Sequence, residues 1–423
     1  MKSIITKIFL VCVVVFLKIS IIYFLNEGRA NLNFDDFDAY TIANNIVLGK
    51  GQVAFNDTTN TFEKTARRGS FSIALHTLLI KHAISISTFV IFYYISYIIL
   101  FIFSIFSFFN IAKHYIESSK YANIATIIYV IYPSTLIYVG GSIYFENIAI
   151  CSVIFFFEEF LLRKNINYKT FLILTFAILS QLLRPHTVLI FAVLSVLALI
   201  QSIYNTKKII LITSFLCAMY ISNEYFMQRN LDLVGHKITS TQSGFAFYQG
   251  HNPYARGSWS GVNWGADTTT PIVKYVLNNS KNYLYNSEFE QENIQKSIAL
   301  NWALNNPLLE IELTLRKIAI FLLPQNFELN ATSRWYNPLN LIIHLLFLGF
   351  LFSIIKSKRI VYFDNILLIT PFFVCLGFSI IYFIGYRWRY YCEPFMIIAG
   401  ISYLDDLSKK LKPKNRFGLS LKK

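Results

Sequence analysis

Charge is what this sequence has least of. Only 14% of its 423 residues are Asp, Glu, Lys or Arg, against about 25% in an ordinary soluble chain. So thin a polar cover cannot face water over the surface of a chain this long. That excludes the two or three soluble domains that length alone would suggest. The five cysteines (Cys12, Cys151, Cys217, Cys375, Cys392) form no C-x-x-C pair and have no histidine cluster beside them. This argues against a disulfide framework or a structural zinc site. No strict internal repeat of the duplicated-transporter kind is present. The net charge of +15 comes without a basic stripe interleaved with aromatics, so nucleic acid is not an expected partner.

Apolar bulk is abundant: 55% of residues are hydrophobic, with 40 Phe and 27 Tyr. They gather in runs long enough to cross a bilayer. The chain therefore reads as an all-α polytopic membrane protein. Spans are expected at Ile4–Leu25, Ile84–Phe109, Tyr121–Val139, Asn147–Leu162, Phe171–Leu183, Val188–Ile203 and Ile209–Tyr225. Leu339–Ile355, Val361–Ile384 and Tyr391–Leu404 complete a count of about ten. The first run is interrupted by Lys18 and is read as an uncleaved span, although Gly28-Arg29-Ala30 resembles a signal-peptide cleavage site. Ile311–Leu323 carries Arg316 and Lys317 and is expected as an outer-surface or re-entrant helix.

If the spans alternate, the short basic loops share one side. These are Lys113 with Lys120, Arg163-Lys164 with Lys169, Lys207-Lys208, and Lys356 with Lys358-Arg359; the basic tail joins them. The positive-inside rule makes that side cytoplasmic. Two long polar stretches, 26–69 and 226–307, then face outward. Three regions follow: an N-terminal transmembrane module with the first outer loop (1–225), an outer loop with an amphipathic helix (226–337), and C-terminal spans with a basic tail (338–423).

Chemistry gathers at the outer ends of the spans. Asp35, Asp36 and Asp38 crowd the first outer loop, ahead of Tyr40 and an apolar helical pattern that ends at Gly49 and Gly51. Such carboxylates act as helix caps, or one of them becomes a base when crowding and low dielectric raise its pKa. Glu146 opens a span, where it is served by the helix dipole or by a cationic partner. Glu158-Glu159, by contrast, reads as a solvated pair near Arg163. Arg184-Pro185-His186 stands at the exit of another span. Arg184 either snorkels or clamps phosphate oxygens. The second outer loop holds Gly250-His251-Asn252-Pro253 with Arg256, Gly257, Trp259 and Trp264, an aromatic and polar set that suits sugar rings. Arg387-Trp388-Arg389 precedes the last span. Its cations either hold a phosphate or anchor the helix at the interface.

Taken in order, these pieces resemble the GT-C class of membrane glycosyltransferases. They look like the dolichyl-phosphate-mannose–protein mannosyltransferase relatives and the bacterial aminoarabinose transferases. The matching residues are Asp35-Asp36, Tyr40, Ala43 and Gly49-x-Gly51, then Glu146 after Pro133-Ser134, then Arg184-Pro185. Gly250-x-Asn252-Pro253…Gly257 and Arg387-x-Arg389-Tyr390…Glu393-Pro394 follow. The chain reads Arg67-Arg68-Gly69-Ser70 where the family often has Pro-Gly-x-Pro. The resemblance implies sugar transfer from a polyprenyl-phosphate donor to a glycan, lipid or protein acceptor. The reaction would run at the extracytoplasmic face of a bacterial inner or plasma membrane. It implies Asp36 as base, with Asp35 and Glu146 as further catalytic candidates. Arg387, Arg389, Arg184 and Arg256 are implied at the donor phosphate, and Tyr40, His251, Asn252 and Trp259 at the substrate. No cofactor is assigned, and a divalent metal is compatible with this reading. A polysaccharide polymerase or ligase and a lipid-linked sugar flippase or transporter are the other classes. The first should lack the acid after span one, and the second should carry polar or broken helices at mid-bilayer. Asp36→Asn keeps side-chain size and removes basicity. It should lower transfer about a hundredfold or more, measured on protein shown to be inserted and folded.

Overall fold

The computed structural model describes residues 16, 37–56, 61–66, 70–82, 86–132, 145–163, 166–257, 271–281, 287–322, 337–359, 362–382 and 386–411. Asp35, Asp36 and Trp259 lie outside them, as do the side chain of Arg387 and all but residue 16 of the expected first span. The described residues are helical apart from one short hairpin and the connections. Helix α1 (Phe37–Val47) is followed by Gly49 and Gly51 at φ +77° and +85°, a left-handed stop that side chains with a Cβ resist. Strands β1 (Val53–Asn56) and β2 (Thr61–Lys64) pair antiparallel with Val53 opposite Lys64. Helix α2 (Ser70–Lys81) packs back on α1 through Ala39, Ile42 and Ile73.

The bundle begins with α3 (Ile86–Tyr115), α4 (Ser119–Ile131) and α5 (Glu146–Phe157), which runs on into a π turn at Glu158–Leu162. Helices α6 (Tyr168–Leu183), α7 (Thr187–Gln201) and α8 (Thr206–Val234) follow. Four helices come next in the second polar stretch and beyond: α9 (Ser243–Gly250), α10 (Pro271–Asn279), α11 (Glu288–Asn305) and α12 (Pro307–Leu322). The chain closes with α13 (Asn337–Lys356), α14 (Phe363–Ile381), the single turn α15 (Tyr386–Arg389) and α16 (Glu393–Leu411).

Four helices among the described residues are long and apolar enough to cross a membrane: Ile91–Tyr115 in α3, Thr206–Val234, Pro338–Lys356 and Phe363–Ile381. α6 and α7 are apolar but shorter. α3 illustrates the membrane character. Tyr93, Tyr97, Phe101 and Ile105 form its buried stripe, yet the opposite stripe of Ile91, Ile95, Ile99, Phe103 and Phe106 is exposed. A helix apolar on both faces needs a lipid neighbour on the side that protein leaves bare. The core is aromatic. Phe108 stacks on Tyr129 at 4.4 Å between ring centres, and Phe156 on Phe160 at 4.6 Å. α5 and the first half of α16 are buried on nearly every side. α13 and α16 run parallel and approach through glycines, as close-packed membrane helices do. A Cβ at Gly400 would come within 3.0 Å of Leu346 Cβ, and one at Gly349 would overlap the Tyr403 ring.

The helix ends sort into two polar zones. At one end, Ser118 N donates to Asp405 at 3.2 Å, Lys409 meets Glu117 at 3.0 Å, and Lys208 Nζ donates to the Arg163 carbonyl at 3.2 Å. The basic short loops belong to this end. Here the expectation of a solvated Glu158-Glu159 pair is corrected, because both are buried. The π turn closes with Arg163 N on the Glu158 carbonyl at 3.1 Å. Glu158 accepts from Asn110 at 2.8 Å and from Arg163 at 2.6 Å, and Glu159 from Thr170 at 2.5 Å. Buried carboxylates with this many donors are packed groups rather than surface charges. The hairpin and α9–α11 lie at the opposite end, where Thr241 N donates to the Ala66 carbonyl at 3.2 Å. Cysteines placed at Asn56 and Asn279, in a background without the five native ones, should therefore share a side. In intact cells both should react with a membrane-impermeant maleimide, or neither. Labelling of one alone would break this arrangement.

Candidate functional site

At the end opposite the basic loops, α5, α6 and α7 bring three polar side chains together. Arg184 precedes a proline, which disfavours helical backbone at that residue, so α6 stops at Leu183. Thr187 Oγ1 caps the corner by donating to the Arg184 carbonyl at 2.8 Å. The guanidinium is thereby aimed at Glu146, the first residue of α5, and Nε meets Oε2 at 2.9 Å. The side chains are 14% and 3% exposed, so this is a desolvated pair. Glu146 opens the helix and has a cationic partner. Phe145 covers the guanidinium 5.7 Å from its ring centre. The next residue, Asn147, donates to Tyr93 of α3 at 3.4 Å.

The last helix joins this layer. Tyr391 hydroxyl lies 2.9 Å from His186 Nε2, beside the Arg184 corner. Arg389 pairs with Glu393 at 3.1 Å, both nearly inaccessible, and Nη1 donates to the Phe321 carbonyl at the end of α12 at 3.2 Å. Two of the expected phosphate ligands, Arg184 and Arg389, thus stand in one layer, each oriented by a carboxylate. Arg256 is exposed on its loop.

A second group adjoins the end of α14. His251 Nδ1 lies 2.8 Å from Glu310, and Nε2 lies 2.7 Å from the Ile381 carbonyl and 3.2 Å from Lys317 Nζ. Lys317 also donates to the Ile380 carbonyl at 2.9 Å. The ring thus bridges the Glu310 carboxylate on one side and the Ile381 carbonyl and Lys317 ammonium on the other. Lys317 is fully buried. Burial pushes its ammonium down to about 8, against the opposing pull of Glu310. Gly250 is required here, since a Cβ would overlap the Tyr382 carbonyl. Asn252 uses its side chain to build the loop, donating to the Tyr248 carbonyl at 2.7 Å and accepting from Tyr254 N at 2.8 Å. Tyr40 sits apart, edge-on to His76 at 6.3 Å on the packed α1–α2 pair.

Sequence reasoning missed two residues. Lys317 was visible as a cation in an apolar run, but its i to i+1 neighbour Arg316 looked the same and is exposed, paired with Glu312 at 3.0 Å. Gln249 carried no signal at all. It is buried, and neither side-chain polar atom has a hydrogen-bond partner among the described residues. Such a carboxamide costs about 1–3 kcal/mol unless a ligand or water meets it. No group of three or more His, Cys, Asp or Glu side chains among the described residues is placed to hold a metal ion.

Comparison of the chain with family models, curated proteins and solved structures finds no match.

The Glu146–Arg184 geometry sets an expectation for stability. Glu146→Ala would take the carboxylate from a largely desolvated guanidinium, at a cost of up to about 3–5 kcal/mol. The double variant Glu146→Ala/Arg184→Met should cost less than Glu146→Ala alone. Denaturation midpoints in nanodiscs measure both, and strictly additive losses would mean the two side chains are uncoupled.

Proposed function

We propose that this chain is an integral membrane glycosyltransferase similar to the GT-C class. It moves a sugar from a polyprenyl-phosphate donor to a glycan, lipid or protein acceptor on the extracytoplasmic side. The observation that carries the reading is the buried, ion-paired layer of Glu146, Arg184, Arg389 and Glu393. It lies at the end of the bundle where the hairpin and α9–α11 also lie. The reading includes about ten spans, both termini inside and the two long polar stretches outside.

The acceptor oxygen attacks the anomeric carbon as the carbon–phosphate-oxygen bond breaks. The electron pair leaves on the lipid phosphate, and the acceptor proton passes to the carboxylate of Asp36, with Asp35 as its neighbour. One displacement inverts the anomeric centre and needs no covalent enzyme intermediate. The departing phosphate needs cations already in place. Arg184 and Arg389, each held by a carboxylate, support that role through preorganisation, with Arg387 and Arg256 as the other candidates. His251, Asn252 and Trp259 are proposed around the sugar and acceptor, with Lys317 behind His251. A lipid-borne donor also explains why the layer sits among apolar helices rather than in a soluble domain.

Purified protein incubated with radiolabelled polyprenyl-phosphate sugars should release the bare lipid phosphate. Arg389→Ala should lower both that release and affinity for the bare lipid phosphate, and Arg389→Lys should not restore them, since Lys lacks the planar fork. Transport of the intact lipid-linked sugar without release would make the protein a flippase instead.

A further inference from the structure

Among the described residues, the two long polar stretches meet at the Thr241–Ala66 backbone bond. Beside the Thr241–Ala66 backbone bond lies a cleft of about 290 Å³, lined by Glu63 and Lys64 of β2, Leu233 of α8, Thr241, and Glu288 and Phe289 of α11. None of these residues belongs to the ion-paired layer.

α8 carries the cleft away from the hydrocarbon. Its 29 residues make a rod about 43 Å long at ~1.5 Å per residue, roughly 13 Å longer than a ~30 Å hydrocarbon core. Its last turns are polar, with Asn223, Glu224, Gln228, Arg229, Asn230 and Asp232. Leu233 stands at their far tip, so a ligand reaches the cleft from water.

We propose that this cleft binds one pyranose ring of a glycan acceptor, which rests on the glycosyltransferase reading and narrows its acceptor from glycan, lipid or protein to glycan. The volume is at the lower edge of the ~300–1,000 Å³ usual for ligand pockets, suited to a ring rather than a chain. Leu233 and Phe289 offer apolar walls to the C–H face of a sugar. Phe289 is held by its stack on His236, 3.4 Å between ring centres and 14° between planes. Glu63, Glu288 and Lys64 supply acceptors and donors for ring hydroxyls. Thr241 is buried, and its hydroxyl has no hydrogen-bond partner among the described residues. A ligand hydroxyl would complete it. The apolar wall of Leu233 and Phe289 is too short for a lipid tail.

The test uses the full chain in phospholipid nanodiscs, which bring no sugar headgroup. The probes are N,N′-diacetylchitobiose, lactose and methyl α-mannoside, read by saturation-transfer difference NMR. Saturation should pass to the ring protons of at least one of them. Thr241→Val and Glu63→Gln should each weaken that binding about three- to tenfold, the worth of one hydrogen bond. No signal from any probe, or a signal unchanged in both variants, overturns the cleft proposal whatever the lipid-phosphate assay gives. Binding weakened by the variants in a protein that releases no lipid phosphate sinks the transferase reading and leaves the cleft a saccharide site.

Discussion

The Glu146–Arg184 pair fixes the position of the central helix, and much of the bundle is arranged around that helix. Lipid supplies no hydrogen bonds, so a charge among membrane helices is tolerated only where a partner stands ready. Glu146 meets Arg184 at one end of α5, and at the other end Glu158 and Glu159 meet Arg163, Asn110 and Thr170. Between them run about 18 Å of helix at ~1.5 Å per residue, buried on nearly every face. The apolar middle has no preferred rotation or depth of its own, because one Ile or Phe packs much like another. The charges at the two ends decide both.

The same rule explains why chemistry collects in one layer. A polar residue at a helix end reaches unsatisfied backbone groups and the ends of neighbouring helices, which mid-span residues cannot. Arg389 uses the Phe321 carbonyl at the end of α12, and Lys317 uses the Ile380 carbonyl near the end of α14. Helix C-termini are also the places where a cation is electrostatically welcome. The layer is therefore both a structural joint and the natural place for a polar reaction within an apolar body.

Much of this was legible in the residues. The apolar runs gave α6, α7, α13 and α14 nearly their observed limits, since bilayer thickness and helix rise leave little choice of length. By contrast, α3 and α8 run on past the expected Phe109 and Tyr225 to Tyr115 and Val234, through polar sequence that carries no apolar signal. Gly49 and Gly51 marked the end of α1 because left-handed backbone has few other tenants. The Glu146–Arg184 partnership was half legible: each residue was conspicuous, but a sequence separation of 38 hid the pairing. The hairpin β1–β2 was not legible, since four-residue strands offer too few alternations to show a period. The burial of Glu158 and Glu159 was hidden for a different reason. Their partners Asn110 and Thr170 lie 48 and 11 residues away, on other helices, so nothing next to the two carboxylates announced that they would be covered.

The π turn at Glu158–Leu162 has a consequence for how this chain can vary. A π turn is an α-helix carrying one surplus residue. Loss of one residue there would leave a regular helix of nearly the same length. The change would nonetheless rotate everything on one side of it by about a quarter turn relative to the other. One of the two carboxylates would swing toward lipid, or Glu146 would swing away from Arg184. Point substitutions within the apolar middle of α5 have many acceptable outcomes, whereas a single-residue deletion in this turn has almost none. The helix depends on its length more than on the identity of its apolar residues.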